Sequence, residues 1–165
     1  MEFLDIIPFI TIGASIVSFL FAIFVVRSII GNDEGNDRIR FIGDAIREGS
    51  IAFLKRQYTM LAIFVVVVAV IVAILVDYDI LSKTSVSRAI PSTAIAYLVG
   101  AIGSALTGYI GMSIAVRANT RTAVQAQKGL NPALRLAFNS GSVMGISVVG
   151  IGLLGLAALF MIFGD

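Results

Sequence analysis

The chain contains no cysteine and no histidine. Without cysteine there is no disulfide framework and no thiol chemistry. Without histidine the usual general base and the commonest metal ligand are missing. Charge is also scarce. Asp, Glu, Lys and Arg make up 13% of the 165 residues, where a soluble domain carries about a quarter. Hydrophobic residues make up 58% and the mean hydropathy is +1.00, so the composition is that of an integral membrane protein. A net charge of +2 gives no case for nucleic acid as a partner. Ionisable residues inside a membrane mark transport paths by default, and the apolar runs here hold essentially none. Arg27 lies close to the end of its run and can snorkel to water. Tyr97, Ser104, Thr107 and Tyr109 are the notable polar groups of the third run. An ion or proton path confined to this chain therefore has no obvious carrier. A small multidrug-type exporter is disfavoured on the same ground, because Ile6 to Ile30 contains no acid.

What is present is long apolar sequence. Four runs are long enough for the roughly 20 helical residues that a bilayer demands. They cover residues 6–30, 58–76, 93–116 and 137–163. Glu2 and Asp5 replace the basic start of a cleavable signal, and no small-residue cleavage site follows the first run, so it reads as a retained span. The expected fold is all-α: one polytopic membrane domain over residues 1–165, with four transmembrane helices.

The connections carry the remaining information. Gly31-Asn32-Asp33-Glu34-Gly35-Asn36-Asp37 has loop composition. From Ile42 the pattern turns helical, with Ile42, Ile46, Gly49 and Phe53 at helical spacing, and an amphipathic helix should feed the second span without a break. Residues 77–92 end in Pro91-Ser92, a helix start. Lys128-Gly129-Leu130-Asn131-Pro132 reads as a glycine stop followed by an Asn N-cap with Pro at the first helical position. The third and fourth helices should thus form a tight hairpin. A helix from Thr93 to Lys128 would be about 54 Å long, against a hydrocarbon core of about 30 Å, so the hairpin should protrude from the membrane. Arg27, Arg38, Arg40, Arg47, Lys55 and Arg56 flank the first connection, and Arg117, Arg121, Lys128 and Arg135 the third. The second holds only Lys83 and Arg88. The positive-inside rule then places connections 31–57 and 117–136 in the cytoplasm and both termini outside.

Small residues recur at four-residue spacing: Ala96, Gly100, Ser104 and Gly108 in the third span, Gly141 and Gly145 in the fourth, followed by Gly152 and Gly155. Such stripes let helix backbones approach closely. They read as packing within the bundle and are also compatible with helices outside it. Asp33, Glu34, Asp37, Asp44 and Glu48 match no cation-loop spacing and read as a solvated acidic segment. Arg117, Arg121 and Lys128 share one helical face, with Arg135 beginning the next helix. A phosphate or pyrophosphate contact is the sharper reading of that face. The positive-inside signal with lipid headgroup contacts is the simpler one, and it is preferred. Asn119, between the two arginines, is expected to be buried in a structural role.

Two segments carry a resemblance. Ile42 to Tyr58, IGDAIREGSIAFLKRQY, is similar to the first cytoplasmic loop of the membrane-integral pyrophosphatases, where I-x-E-G-A-x-A-F-L-x-R-Q-Y recurs. Ile46, Glu48, Gly49, Ala52, Phe53, Leu54, Arg56, Gln57 and Tyr58 match, with Ser50 in place of the usual Ala. Gly111 to Leu156 resembles the third and fourth spans of that family with their hairpin. The resemblance implies a pyrophosphate-energised proton or sodium pump of the cell membrane, a homodimer with many spans per subunit, which hydrolyses pyrophosphate with Mg2+ on the cytosolic side. The family's catalytic D-V-G-A-D-L-V-G-K type motif follows its fourth span. The resemblance therefore assigns no catalytic, cofactor-binding or metal-ligating residue to this chain. It makes the chain the N-terminal four-span portion, supplying outer helices that need the remaining helices of the pump. That portion is expected to be inactive alone, as a fragment, a truncated gene product or one piece of a split protein. The alternative is a free-standing, non-enzymatic four-helix membrane scaffold or assembly protein.

Overall fold

The computed structural model describes residues 2–78 and 91–163. Four helices account for nearly all of them: α1 (Glu2–Ile30), α2 (Asp37–Val72), α3 (Ser92–Lys128) and α4 (Leu130–Phe163). Each contains a stretch long and apolar enough to cross a membrane. Runs such as Val65 to Val68 would favour strands in water. In hydrocarbon every backbone polar group needs an internal partner, and the helix supplies one for each residue. The described chain accordingly contains no strand.

As expected, α2 runs from the amphipathic segment into the second span without interruption. Asn36 starts it, its side-chain oxygen accepting from the Ile39 amide at 3.0 Å. Its far end widens into a π-helical turn, Ala73–Asp77, closed by the Tyr78 amide on the Ala73 carbonyl at 3.0 Å. The wider turn alters the phase of its last residue, and Asp77 ends up buried at 3% exposure. Its two carboxylate oxygens accept from the amides of Thr93 (3.0 Å) and Ala94 (2.9 Å). The start of α3 at Pro91-Ser92 was expected. Its cap by a carboxylate from the preceding helix was not. Lys83 and Arg88 lie outside the described residues.

The α3–α4 turn is tighter than the sequence suggests. Gly129 alone separates the helices, at φ 138°, a conformation that L side chains rarely adopt. The expected glycine stop is present. The expected Asn131 cap is not: α4 already begins at Leu130, so Asn131 and Pro132 lie inside its first turn. Proline is tolerated there because first-turn amides lack intrahelical acceptors.

α3 packs along most of α4, α1 lies against α4, and α2 rests on α3. α1 and α2 do not pack on each other. The core is small. Val25 and Ile29 of α1 meet Ile114 and Ala118 of α3 and Leu136 and Val143 of α4. Elsewhere large apolar side chains point outward, among them Phe24, Phe64, Phe138 and Leu156, as suits surfaces facing lipid or further helices.

The small-residue stripes are only partly used. A Cβ on Gly108 would meet the Tyr58 hydroxyl at 2.7 Å, and one on Gly155 just reaches Val99 at 4.0 Å. Gly100, Gly141, Gly145 and Gly152 have nothing within 4 Å. The close approach of α3 to α4 runs instead through Gly103, against Ile151, and Gly111, against Met144. Two stripes of the same period lie side by side on α3, and spacing alone does not say which faces a neighbour. Gly111→Ala brings a Cβ within 2.7 Å of Met144 Cγ and should lower stability by about 1–2 kcal/mol, an overpacking cost. Gly145→Ala should be neutral or stabilise by up to about 1 kcal/mol through helix propensity. Denaturant titration of the two variants in micelles, followed by circular dichroism, checks the pair.

Candidate functional site

One end of the bundle gathers the C-termini of α1 and α3 with the N-termini of α2 and α4, and therefore the basic residues named above. The structure separates the three that shared a helical face. Arg121 is 5% exposed and forms the one salt bridge among the described residues, from Nη2 to Glu34 Oε1 at 2.6 Å. Its Nε donates to the Asn32 carbonyl at 3.1 Å, its Nη1 to the Arg117 carbonyl at 2.6 Å and its Nη2 to the Ile30 carbonyl at 3.4 Å. The planar fork thus satisfies carbonyls left open where α1 ends. Gln125, one turn further on, donates to Asn32 Oδ1 at 2.9 Å. Arg121 therefore clasps the α1–α2 loop to α3 and offers no free edge to a phosphate. Gly35 of that loop, at φ 90°, places its Cα against Val124, where a Cβ would come within 2.6 Å.

Arg117 and Lys128 are exposed. Lys128 ends α3. Arg117 lines a groove of about 250 Å3 between α2 and α3, together with Arg47 and Lys55. Asn119 is exposed, contrary to expectation. It sits on the outer side of α3, while Ala118 and Arg121 turn inward. Arg135 borders a second, polar cleft with Asn131 and Asn139 at the start of α4. The phosphate face read from the sequence is therefore split over four places.

The acidic segment does not assemble either. Glu34 is engaged by Arg121, and Asp33 accepts from the Gly35 amide at 3.0 Å. Asp37, Asp44 and Glu48 are exposed. Among the described residues no three acids converge on a point where a metal ion could sit. Two features escaped the sequence reading. Asp77 reads as the first residue of a loop, and only the fold brings it to α3. Tyr58, which closes the family-like segment, donates its hydroxyl to the Ala105 carbonyl at 2.8 Å and joins α2 to α3. The paired signal was present in Tyr58 and the facing Gly108.

Residues 16–165 match the family model described as "Inorganic H+ pyrophosphatase". A K(+)-insensitive pyrophosphate-energized proton pump of Methanosarcina mazei is 42% identical over 152 residues, which is 92% of this chain and 21% of that protein. A second pump of the same description, from Moorella thermoacetica, is 41% identical over 165 residues, 99% of this chain and 22% of its own length. A Clostridium tetani protein named "Putative K(+)-stimulated pyrophosphate-energized sodium pump" is 38% identical over 151 residues, 92% of this chain and 20% of that protein. The chain spans about a fifth of the length of these curated relatives. On a match over nearly its whole length, it belongs to the inorganic H+ pyrophosphatase family.

Proposed function

We propose that this chain is the N-terminal four-helix part of a pyrophosphate-energised proton or sodium pump, and that it supplies supporting helices rather than the reaction centre. The observation that carries this reading is the contrast between extensive identity to such pumps and the chemistry of the residues present. Pyrophosphate hydrolysis needs carboxylates that gather divalent cations around the phosphoryl oxygens. Magnesium is the cation expected for such a pump. The acids near Asp33 do not fit it, because among the described residues no three of them converge and Asp33 and Glu34 are already bonded. No step of the reaction is therefore assigned to this chain. The open faces of α2 and α4 support a role against the remaining helices, which would carry the catalytic acids and the contacts of a homodimer. The basic end of the bundle supports a cytoplasmic location for that end in the cell membrane, with both termini on the other side.

The test is a chimera. This chain replaces the corresponding helices of the Methanosarcina mazei pump, and inverted vesicles are assayed for magnesium-dependent pyrophosphate hydrolysis and pyrophosphate-driven acidification. Both activities should persist in the chimera and be absent from the purified chain alone. Hydrolysis by the purified chain, or a chimera that inserts and folds but neither hydrolyses nor pumps, would falsify the proposal.

A further inference from the structure

We propose that the groove between α2 and α3 binds the headgroup of an anionic phospholipid, in the leaflet at the basic end of the bundle. Arg47 and Lys55 reach it from α2 and Arg117 from α3. No acid is among its lining residues, and none of the three cations has a carboxylate within 4.0 Å among the described residues. Between Arg47 and Lys55 the lining is apolar, with Ile51 and Leu54, and on α3 Met112 lies on the membrane side of Arg117. Tyr58 and Tyr109 also line the groove, and tyrosine favours the headgroup level of a bilayer. The groove lies where the apolar stretch of α2 begins and that of α3 ends. Along α2 it runs from Arg47 to Tyr58, about 16 Å at 1.5 Å per residue. That length spans the step from headgroup to acyl chain.

Charge complementarity selects the occupant. A further helix laid into this groove would bury three unpaired cations, which costs several kcal/mol per ion without partners. A phosphodiester neutralises them while its acyl chain covers the apolar floor. Free phosphate or pyrophosphate would satisfy the cations and leave that floor wet. The groove is also held in shape. Tyr58 bonds across to the Ala105 carbonyl, and the Arg117 carbonyl is gripped by Arg121. The proposal is independent of pumping, because it concerns lipid retention by these four helices.

The experiment is native mass spectrometry of the full 165-residue chain in neutral detergent, with phosphatidylglycerol and phosphatidylcholine of identical acyl chains. Phosphatidylglycerol should be retained in preference to phosphatidylcholine. In the triple variant Arg47→Gln, Lys55→Gln, Arg117→Gln that retention should fall at least about tenfold, since each cation near an anionic surface is worth roughly a fivefold change. A control triple, Arg38→Gln, Arg40→Gln, Lys128→Gln, removes the same charge from exposed positions at the same end and should keep it. Met112→Trp fills the floor without altering charge and should also reduce retention, so the result does not hang on the folding of one variant. Equal retention of both lipids, equal loss in both triples, or full retention in Met112→Trp would each overturn the proposal. So would displacement of phosphatidylglycerol by inorganic pyrophosphate, which would assign the cations to a soluble phosphate instead.

Discussion

Replacing Arg121 by Ala should lower the unfolding free energy of the chain by about 2–4 kcal/mol, the range for losing several hydrogen bonds from a charged donor. Removing one partner of a fully buried ion pair costs about 3–5 kcal/mol, because the other charge is stranded. Here the stranded partner, Glu34, is 49% exposed, so water takes over its hydration and the estimate falls below that range. What remains is the loss of donors to the carbonyls of Asn32, Arg117 and Ile30, with the loop they belong to. Arg121→Lys should recover less than half of the loss. An ammonium does not reproduce a planar fork that meets a carboxylate and carbonyls on both sides. Glu34→Gln should cost under about 1 kcal/mol, as for other solvent-exposed pairs. The ranking Ala, then Lys, then Gln is measured by SDS titration of the refolded chain, followed by circular dichroism. An Arg121→Ala loss no larger than that of Glu34→Gln would show that the carbonyls, not the pair alone, have been given too much weight.

Asp77→Ala should cost about 2–3 kcal/mol, more than an ordinary exposed cap at about 1 kcal/mol, because two amides lose their acceptor, that of Ala94 in a buried place and that of Thr93 in a partly buried one. The Ala94 amide suffers most, since Ala94 is itself 5% exposed. Asp77→Asn should restore part of the stability, since asparagine caps well but offers one carbonyl oxygen where the aspartate offers two. Hydrogen exchange gives the local readout. Thr93 and Ala94 should lose protection in the Ala variant, while amides in the middle of α4 keep theirs. Uniform loss across all four helices would instead mark Asp77 as a determinant of the whole bundle.

The four helices were legible because a membrane span advertises itself by length and composition, and the α2 continuity because a 3.6-residue pattern ran unbroken into the apolar run. The family was legible from a short, ordered segment ending at Tyr58 and a longer one from Gly111. The misreadings have a common cause, which is that periodicity gives a face without giving its neighbour. Gly100 and Gly103 belong to adjacent stripes of the same helix, and only the second meets α4. Arg117 and Arg121 share a face by spacing. Yet one lines a groove against α2 while the other folds back onto the α1–α2 loop. Asn119 falls between them in sequence and on the opposite side in space. The cap made by Asp77 spans 17 positions to Ala94, too far for any local capping rule to find.

The pairing of α1 with α4 rather than α2 sets an order of events during synthesis. A chain emerging from its N-terminus makes α1 first and its principal neighbour among the described helices, α4, three helices later. Until α4 arrives, Ile29 and Val25 lack the Leu136 and Val143 surface that buries them, and α1 has only the edge of α3 to rest on. The one-residue link at Gly129 shortens that wait, because α4 enters folded back along α3 with no slack to search through. Biogenesis of these four helices is thus a matter of holding an early helix in reserve until the turn at Gly129 brings its neighbour.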